Sequence, residues 1–279
     1  MSQKFSIQPT LKDVEHFWNE NPLFTGETAR DENFFRQHTA TYFDDVFFGI
    51  EPVKWFYFPD DRSARILDLG CGIGFWCEYF DTLGYQNVTG ADLSSASLDL
   101  ARARLKGSAR VQFRQENAEN LSFSQNHFDH VNCQGVIHHT PDTQQALNEI
   151  VRVTKPGGTV SVSVYYSNWL VRAYPVLRSI LSAVFQLFGT KTGRGRDFSA
   201  PKNREDLVRL YDGIDNPIGK SYSRHDFISM CDRAGLEPLE IRYFFFPFRF
   251  LSFRFPRPLK RMLVLCFPFM IVANCRKKP

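Results

Sequence analysis

Arg65-Ile66-Leu67-Asp68-Leu69-Gly70-Cys71-Gly72-Ile73-Gly74-Phe75-Trp76 is the stretch on which the reading of this chain turns. An apolar run of strand character passes directly into glycines at 70, 72 and 74 and then into an amphipathic helical pattern. Bare backbone permits a sharp turn and lets a ligand approach where a Cβ would collide. A strand, a glycine turn and a helix N-terminus together make a nucleotide-binding corner. The spacing is G-x-G-x-G; a dinucleotide fingerprint needs its third glycine at position 75, which is Phe75. Asp68 beside the turn repels a diphosphate but suits a ligand carrying an ammonium or sulfonium group.

Further segments follow in a fixed order. Asp92, in Val88-Thr89-Gly90-Ala91-Asp92-Leu93-Ser94, ends a second apolar strand about 20 residues beyond the turn, where an acid reaches two ribose hydroxyls. Then come Glu116-Asn117-Ala118-Glu119-Asn120-Leu121-Ser122-Phe123, the strand opening Phe128-Asp129-His130-Val131, and the turn Lys155-Pro156-Gly157-Gly158. This set resembles the motifs of the class I S-adenosylmethionine (SAM)-dependent methyltransferases, strongly over residues 60–165 and weakly over 220–279. The resemblance implies SAM as cofactor and S-adenosylhomocysteine as product. It implies cofactor contacts at Asp68, Gly70, Cys71, Gly72, Gly74, Asp92, Leu93, Asn117, Ala118, Glu119 and Gln134. Two positions depart from the family pattern. The adenine-side acid is Asn117, whose amide oxygen still accepts a hydrogen bond, and the usual proline is Ser122, at a cost in loop rigidity.

The implied fold is α/β: a Rossmann-like, seven-stranded, mostly parallel sheet with helices on both faces, an antiparallel last strand and a helical lid insertion. The element pattern agrees. Strands are expected near 65–70, 87–91, 110–115, 128–134 and 159–165, with helices near 75–83, 94–106 and 142–154. Such alternation makes a parallel sheet whose ligands sit at the carboxyl ends of the strands. Residues 1–60 read as an aromatic-rich helical extension, 61–165 as the SAM-binding core and 166–222 as a helical lid. Residues 223–279 read as the rest of the sheet, with strands near 236–246 and 269–275.

A chain of 279 residues with 43% hydrophobic and 23% charged content buries a full core as one large domain. A formal charge of +4 is too mild to argue for nucleic acid. Six cysteines at 71, 77, 133, 231, 266 and 275 show no C-x-x-C pair, which suits a reduced, cytoplasmic setting; the first residues lack a signal-peptide core. The oligomeric state is not legible.

Methyl transfer is an in-line displacement that asks for proximity, exclusion of water and, at O–H or N–H acceptors, a base. No metal is expected, because His138-His139 lacks a zinc-site context. In Cys133-Gln134-Gly135-Val136-Ile137-His138-His139-Thr140, after the fourth strand, a histidine is the candidate general base. His138 is favoured and His139 is the second candidate. Tyr166, Tyr222 and Arg224 are the candidate substrate contacts. The Phe- and Arg-rich run from Tyr243 to Arg261 stays open between sheet-edge packing, a peripheral membrane or lipophilic-substrate surface, and a nucleic-acid platform. The leading reading is a methyltransferase moving a methyl group to O, N or C of a small, partly apolar molecule. Its alternatives are a SAM-binding regulatory or scaffold protein without turnover and a nucleic-acid methyltransferase. The last is disfavoured because Asn132-Cys133-Gln134-Gly135 stands where a (D/N)-P-P-(Y/F) motif would be.

Overall fold

The computed structural model describes residues 9–22, 31–47, 55–188, 201–213, 215–247 and 256–279. The sheet is built from β1 (Arg65–Leu69), β2 (Asn87–Asp92), β3 (Val111–Gln115), β4 (Phe128–Gln134), β5 (Thr154–Tyr166), β7 (Leu236–Phe244) and β8 (Met270–Lys277). Its order is β3-β2-β1-β4-β5-β8-β7, and a two-residue β6 (Ser221–Tyr222) pairs with the end of β5. β1 to β5 run parallel: Ile66 lies opposite Val88 on one side and His130 on the other. β8 slots antiparallel between β5 and β7, with Val162 opposite Ala273 and Ile241 opposite Ala273. The expected mostly parallel sheet with an antiparallel last strand is therefore present.

The helices are α1 (Leu11–Glu20), α2 (Glu32–Phe47), α3 (Phe75–Thr82), α4 (Ser95–Arg104), α5 (Thr143–Val153), α6 (Trp169–Phe188), α7 (Arg204–Arg209), α8 (Arg224–Arg233) and α9 (Arg257–Cys266). Local chemistry sets their starts. The Ser94 hydroxyl accepts from the Ser97 N–H to cap α4, and the Asp142 carboxylate accepts from the Gln145 N–H to cap α5. α6 carries Pro175 within it.

Pleat alternation sends neighbouring β1 side chains to opposite layers. Ile66 packs with an aromatic-rich layer of Trp76, Phe80, Tyr85, Phe47 and Phe244, whereas Leu67 and Leu69 pack with a mainly aliphatic layer that includes Leu147, Ile150 and Val162. β1 is buried on both faces, as an inner parallel strand requires. Its carboxyl end opens into the loop that frames the site. No helix among the described residues is long and apolar enough to cross a membrane.

Candidate active site

β1 stops because its backbone turns left-handed at Gly70 (φ 72°) and again at Gly72 (φ 53°). A Cβ at Gly70 would also lie 2.2 Å from a Val136 methyl, so only glycine fits there. The turn is pinned to β2: the Gly70 and Cys71 N–H groups both donate to the Ala91 carbonyl, at 2.7 and 3.0 Å. The Gly72 N–H donates to Asp92 Oδ2 at 2.8 Å, and the Ser94 N–H donates to Asp92 Oδ1 at 2.9 Å. Two backbone donors therefore orient the Asp92 carboxylate at the mouth of the sheet. Burial raises its affinity for a proton despite them.

A partly open cleft lies above this turn, with about 110 Å³ of enclosed space. Its floor is Leu69, Gly70 and Gly72, one end is Asp92, Leu93, Asn117 and Ala118, and the other is Gln134, Gly135, Val136, His139 and Thr140. Leu11, Val14 and Trp18 of α1 close the roof. α1 is seated by the Ser94 hydroxyl, which donates to the Trp18 carbonyl at 3.1 Å, and by Gln115 Nε2, which donates to Glu15 at 3.1 Å. Nothing in the spacing of residues 11–20 announces this position, since the contacts join α1 to residues roughly 76–100 positions away.

Of the residues expected to touch a cofactor, Gly70, Gly72, Asp92, Leu93, Asn117, Ala118 and Gln134 line the cleft, and the others lie behind it. Asp68 is buried beneath the floor, accepting from Asn132 Nδ2 at 2.8 Å and from the Cys77 thiol at 3.3 Å, and burial pushes its carboxyl up to about 7. Cys71 is buried in the aromatic layer. Gly74 begins α3 and keeps it close to α4, since its Cβ would lie 3.1 Å from that of Ala101. Glu119 turns away to accept from the Asp142 N–H at 2.5 Å, at the start of α5. The Asn117 amide oxygen accepts from the Glu119 N–H at 3.0 Å and keeps a second lone pair. Ser122 holds its loop by hydrogen bonds from both its N–H and its hydroxyl to Glu116.

These residues fit the cation-bearing nucleoside that the motifs imply. Gln134 Nε2 donates to Asn132 Oδ1 and to the Ser161 carbonyl, both at 2.9 Å, which leaves its Oε1 buried at the cleft with no partner among the described residues. An acceptor so placed needs a donor, and an ammonium group supplies one. The Asp92 charge also raises the proton affinity of Asp68, a repulsion that a positive ligand relieves.

The two histidines sit on the 3₁₀ turn Ile137–His139 and part company there. His138 is fully buried against Tyr165, with ring centroids 3.9 Å apart, does not line the cleft, and has neither ring nitrogen partnered among the described residues. Burial drives its proton affinity well down. His139 lines the cleft, edge-on to Trp18 at 5.3 Å. Its Nδ1 lies 2.7 Å from the Ile218 carbonyl, and its Nε2 lies 3.2 Å from Asp212 Oδ2, which also accepts from the Tyr165 hydroxyl at 2.6 Å. Reading single residues did not single out Asp212 as a partner; the hint was a tyrosine-acid-glycine run, Tyr211-Asp212-Gly213, on the return toward the core.

The candidate substrate residues fall elsewhere. The Tyr166 ring packs on Tyr243 at 4.8 Å, and the Tyr222 hydroxyl donates to Thr143 at 2.8 Å. Arg224 is exposed and lines a separate groove with Arg172 and His225.

Comparison with known proteins points the same way. Residues 67–162 match the family model described as a methyltransferase domain. A ubiquinone biosynthesis O-methyltransferase of Alkalilimnicola ehrlichii is 35% identical over 181 residues, 61% of this chain and 71% of that protein. A demethylmenaquinone methyltransferase of Lactococcus lactis is 31% identical over 165 residues, 54% of this chain and 66% of that protein. Among solved structures, a SAM-dependent methyltransferase from Mesorhizobium loti matches with a TM-score of 0.56 at 20% identity, covering 79% of this chain and 94% of that one. That last likeness bears on the fold.

Proposed function

The chain belongs to the class I SAM-dependent methyltransferases, and from that premise we propose that it methylates a hydroxyl of a small, partly apolar molecule, with His139 as the general base. When bound, SAM supplies an electrophilic methyl carbon. Gly70, Gly72, Asp92, Leu93, Asn117, Ala118 and Gln134 would hold it. The observation that carries the reading is the contrast between the two walls beyond that cradle. Leu11, Val14, Trp18 and Val136 exclude water, while His139 brings the one cleft-lining imidazole.

An oxygen nucleophile must lose a proton as it attacks. The Ile218 carbonyl lies 2.7 Å from Nδ1 and can accept its hydrogen, which turns Nε2 toward Asp212. Nε2 lies 3.2 Å from Asp212 Oδ2, so taking up the acceptor's proton there requires that contact to open toward the cleft. Asp212 is itself held by the Tyr165 hydroxyl. His138, off the cleft and without proton affinity to spare, packs beneath this pair. The ubiquinone-biosynthesis O-methyltransferase relative favours a phenol-like acceptor, whose hydroxyl needs only a modest base.

The test is methyl transfer from labelled SAM to a prenylated phenol, a small amine and bulk RNA, run in parallel. Transfer to the phenol is expected, and His139→Ala should slow it by about 10²-fold while SAM affinity is retained. Transfer to RNA or to the amine alone, or an undiminished rate in the variant, contradicts the proposal.

A further inference from the structure

α6 and α9 carry apolar side chains that the fold does not bury. On α6, Trp169, Val176 and Ile180 are 56%, 87% and 64% exposed, and on α9 Leu265 is 82% exposed. These are not scattered. Trp169, Arg172, Val176 and Ile180 follow one another at helical spacings of three and four, making a single stripe on α6. Arg257, Arg261 and Leu265 do the same at spacings of four on α9, with Met262 beside them, half exposed. The two helices meet end to end: the Trp169 ring lies 5.1 Å from that of Phe267, and Asn168 Nδ2 donates to the Pro268 carbonyl at 2.9 Å.

The two helices themselves carry charge of one sign. α6 contains Arg172 and Arg178, α9 contains Arg257, Lys260 and Arg261, and neither helix contains an aspartate or glutamate. No carboxylate pairs with Arg178, Arg257 or Arg261 among the described residues.

We propose that the α6 and α9 stripes form a docking surface for a bilayer rich in anionic lipid. Aliphatic side chains enter the acyl boundary while the arginines reach back to headgroup phosphates, the arrangement of a helix that lies in an interface. Charge selects this occupant over a second copy of the chain, because a self-complementary contact would bring like cations face to face. The cations also keep α6 on the bilayer surface, since it is not apolar enough to cross. The surface lies outside the cleft, so the inference does not depend on the identity of the methyl acceptor.

The experiment is co-sedimentation of the full chain with vesicles of phosphatidylcholine alone or mixed with phosphatidylglycerol, at low and high salt. Binding is expected to the anionic vesicles, weakened by salt and by lowering the phosphatidylglycerol fraction. The pair Ile180→Glu and Leu265→Glu, and separately the pair Arg257→Glu and Arg261→Glu, should each reduce binding by about tenfold or more. SAM affinity measured by calorimetry should stay at the wild-type value and so report that both variants are folded. Absence of binding to anionic vesicles, or equal binding by the variants, overturns the proposal. So does a solution dimer that Leu265→Glu splits, because the stripe would then belong to a second copy.

Discussion

Asp68 is held between two requirements: it must sit under the cofactor turn, and it is shut away from water there. Its carboxyl is pushed from 3.8 to about 7 by burial, against hydrogen bonds from Asn132 and Cys77. Between those values the folded chain holds a proton that the unfolded chain has released. Stability without ligand therefore falls as pH rises through that window and levels off above about 7. Asp68→Asn keeps an acceptor for Asn132 and removes the ionisation. Its melting temperature relative to wild type should climb from pH 4 to 7 and then hold steady in a thermal-denaturation series. A constant difference across that range would show that Asp68 ionises freely in the fold. At this scale the sequence was legible where one residue type answers one geometric need, as at Gly70 and Asp92. It was not legible for His138 and His139, because adjacent side chains on a short turn point in different directions and only packing against Tyr165 and Asp212 decides which one meets the cleft.

Elements recovered from periodicity are those whose burial repeats along the chain: β1, β2 and β4, and the helices α4 and α5 with their Ser94 and Asp142 caps. α1 is of another kind. Its Thr10–Asp13 capping box makes it a sound helix, but its place over the cleft depends on Ser94 and Gln115, far along the chain. Because Leu11, Val14 and Trp18 form the roof, cofactor entry and exit require α1 to shift or these side chains to swing. Trp18→Ala should speed release of S-adenosylhomocysteine by about tenfold, given the 1–3 kcal/mol that a large aromatic contact is worth. Stopped-flow displacement would measure it, and an unchanged release rate would mean that the roof does not gate the cleft. The same distance in sequence hid Asp212, which reaches His139 from the segment between α7 and β6.

Seen as a whole, the molecule joins a conserved type of chemistry to surroundings of its own. The sheet delivers a glycine turn, an oriented carboxylate and an amide oxygen unpartnered among the described residues to one mouth, while α1 supplies the roof and Asp212 and Ile218 the polar support of His139. The motifs were readable because they occur in chain order at strand ends, where an α/β sheet places its ligand. The mild overall charge of +4 concealed the one-signed charge of α6 and α9, since composition averages over elements that folding separates. Every functional step above presupposes that the cleft holds SAM through Asp92. Titration calorimetry of SAM into the wild-type chain and into Asp92→Ala measures this directly. The account requires saturable binding at a single site in the first and a loss of at least about tenfold in the second, as expected for removing a charged hydrogen-bond acceptor. No heat of binding in the wild type, or equal affinity in the two proteins, would contradict it.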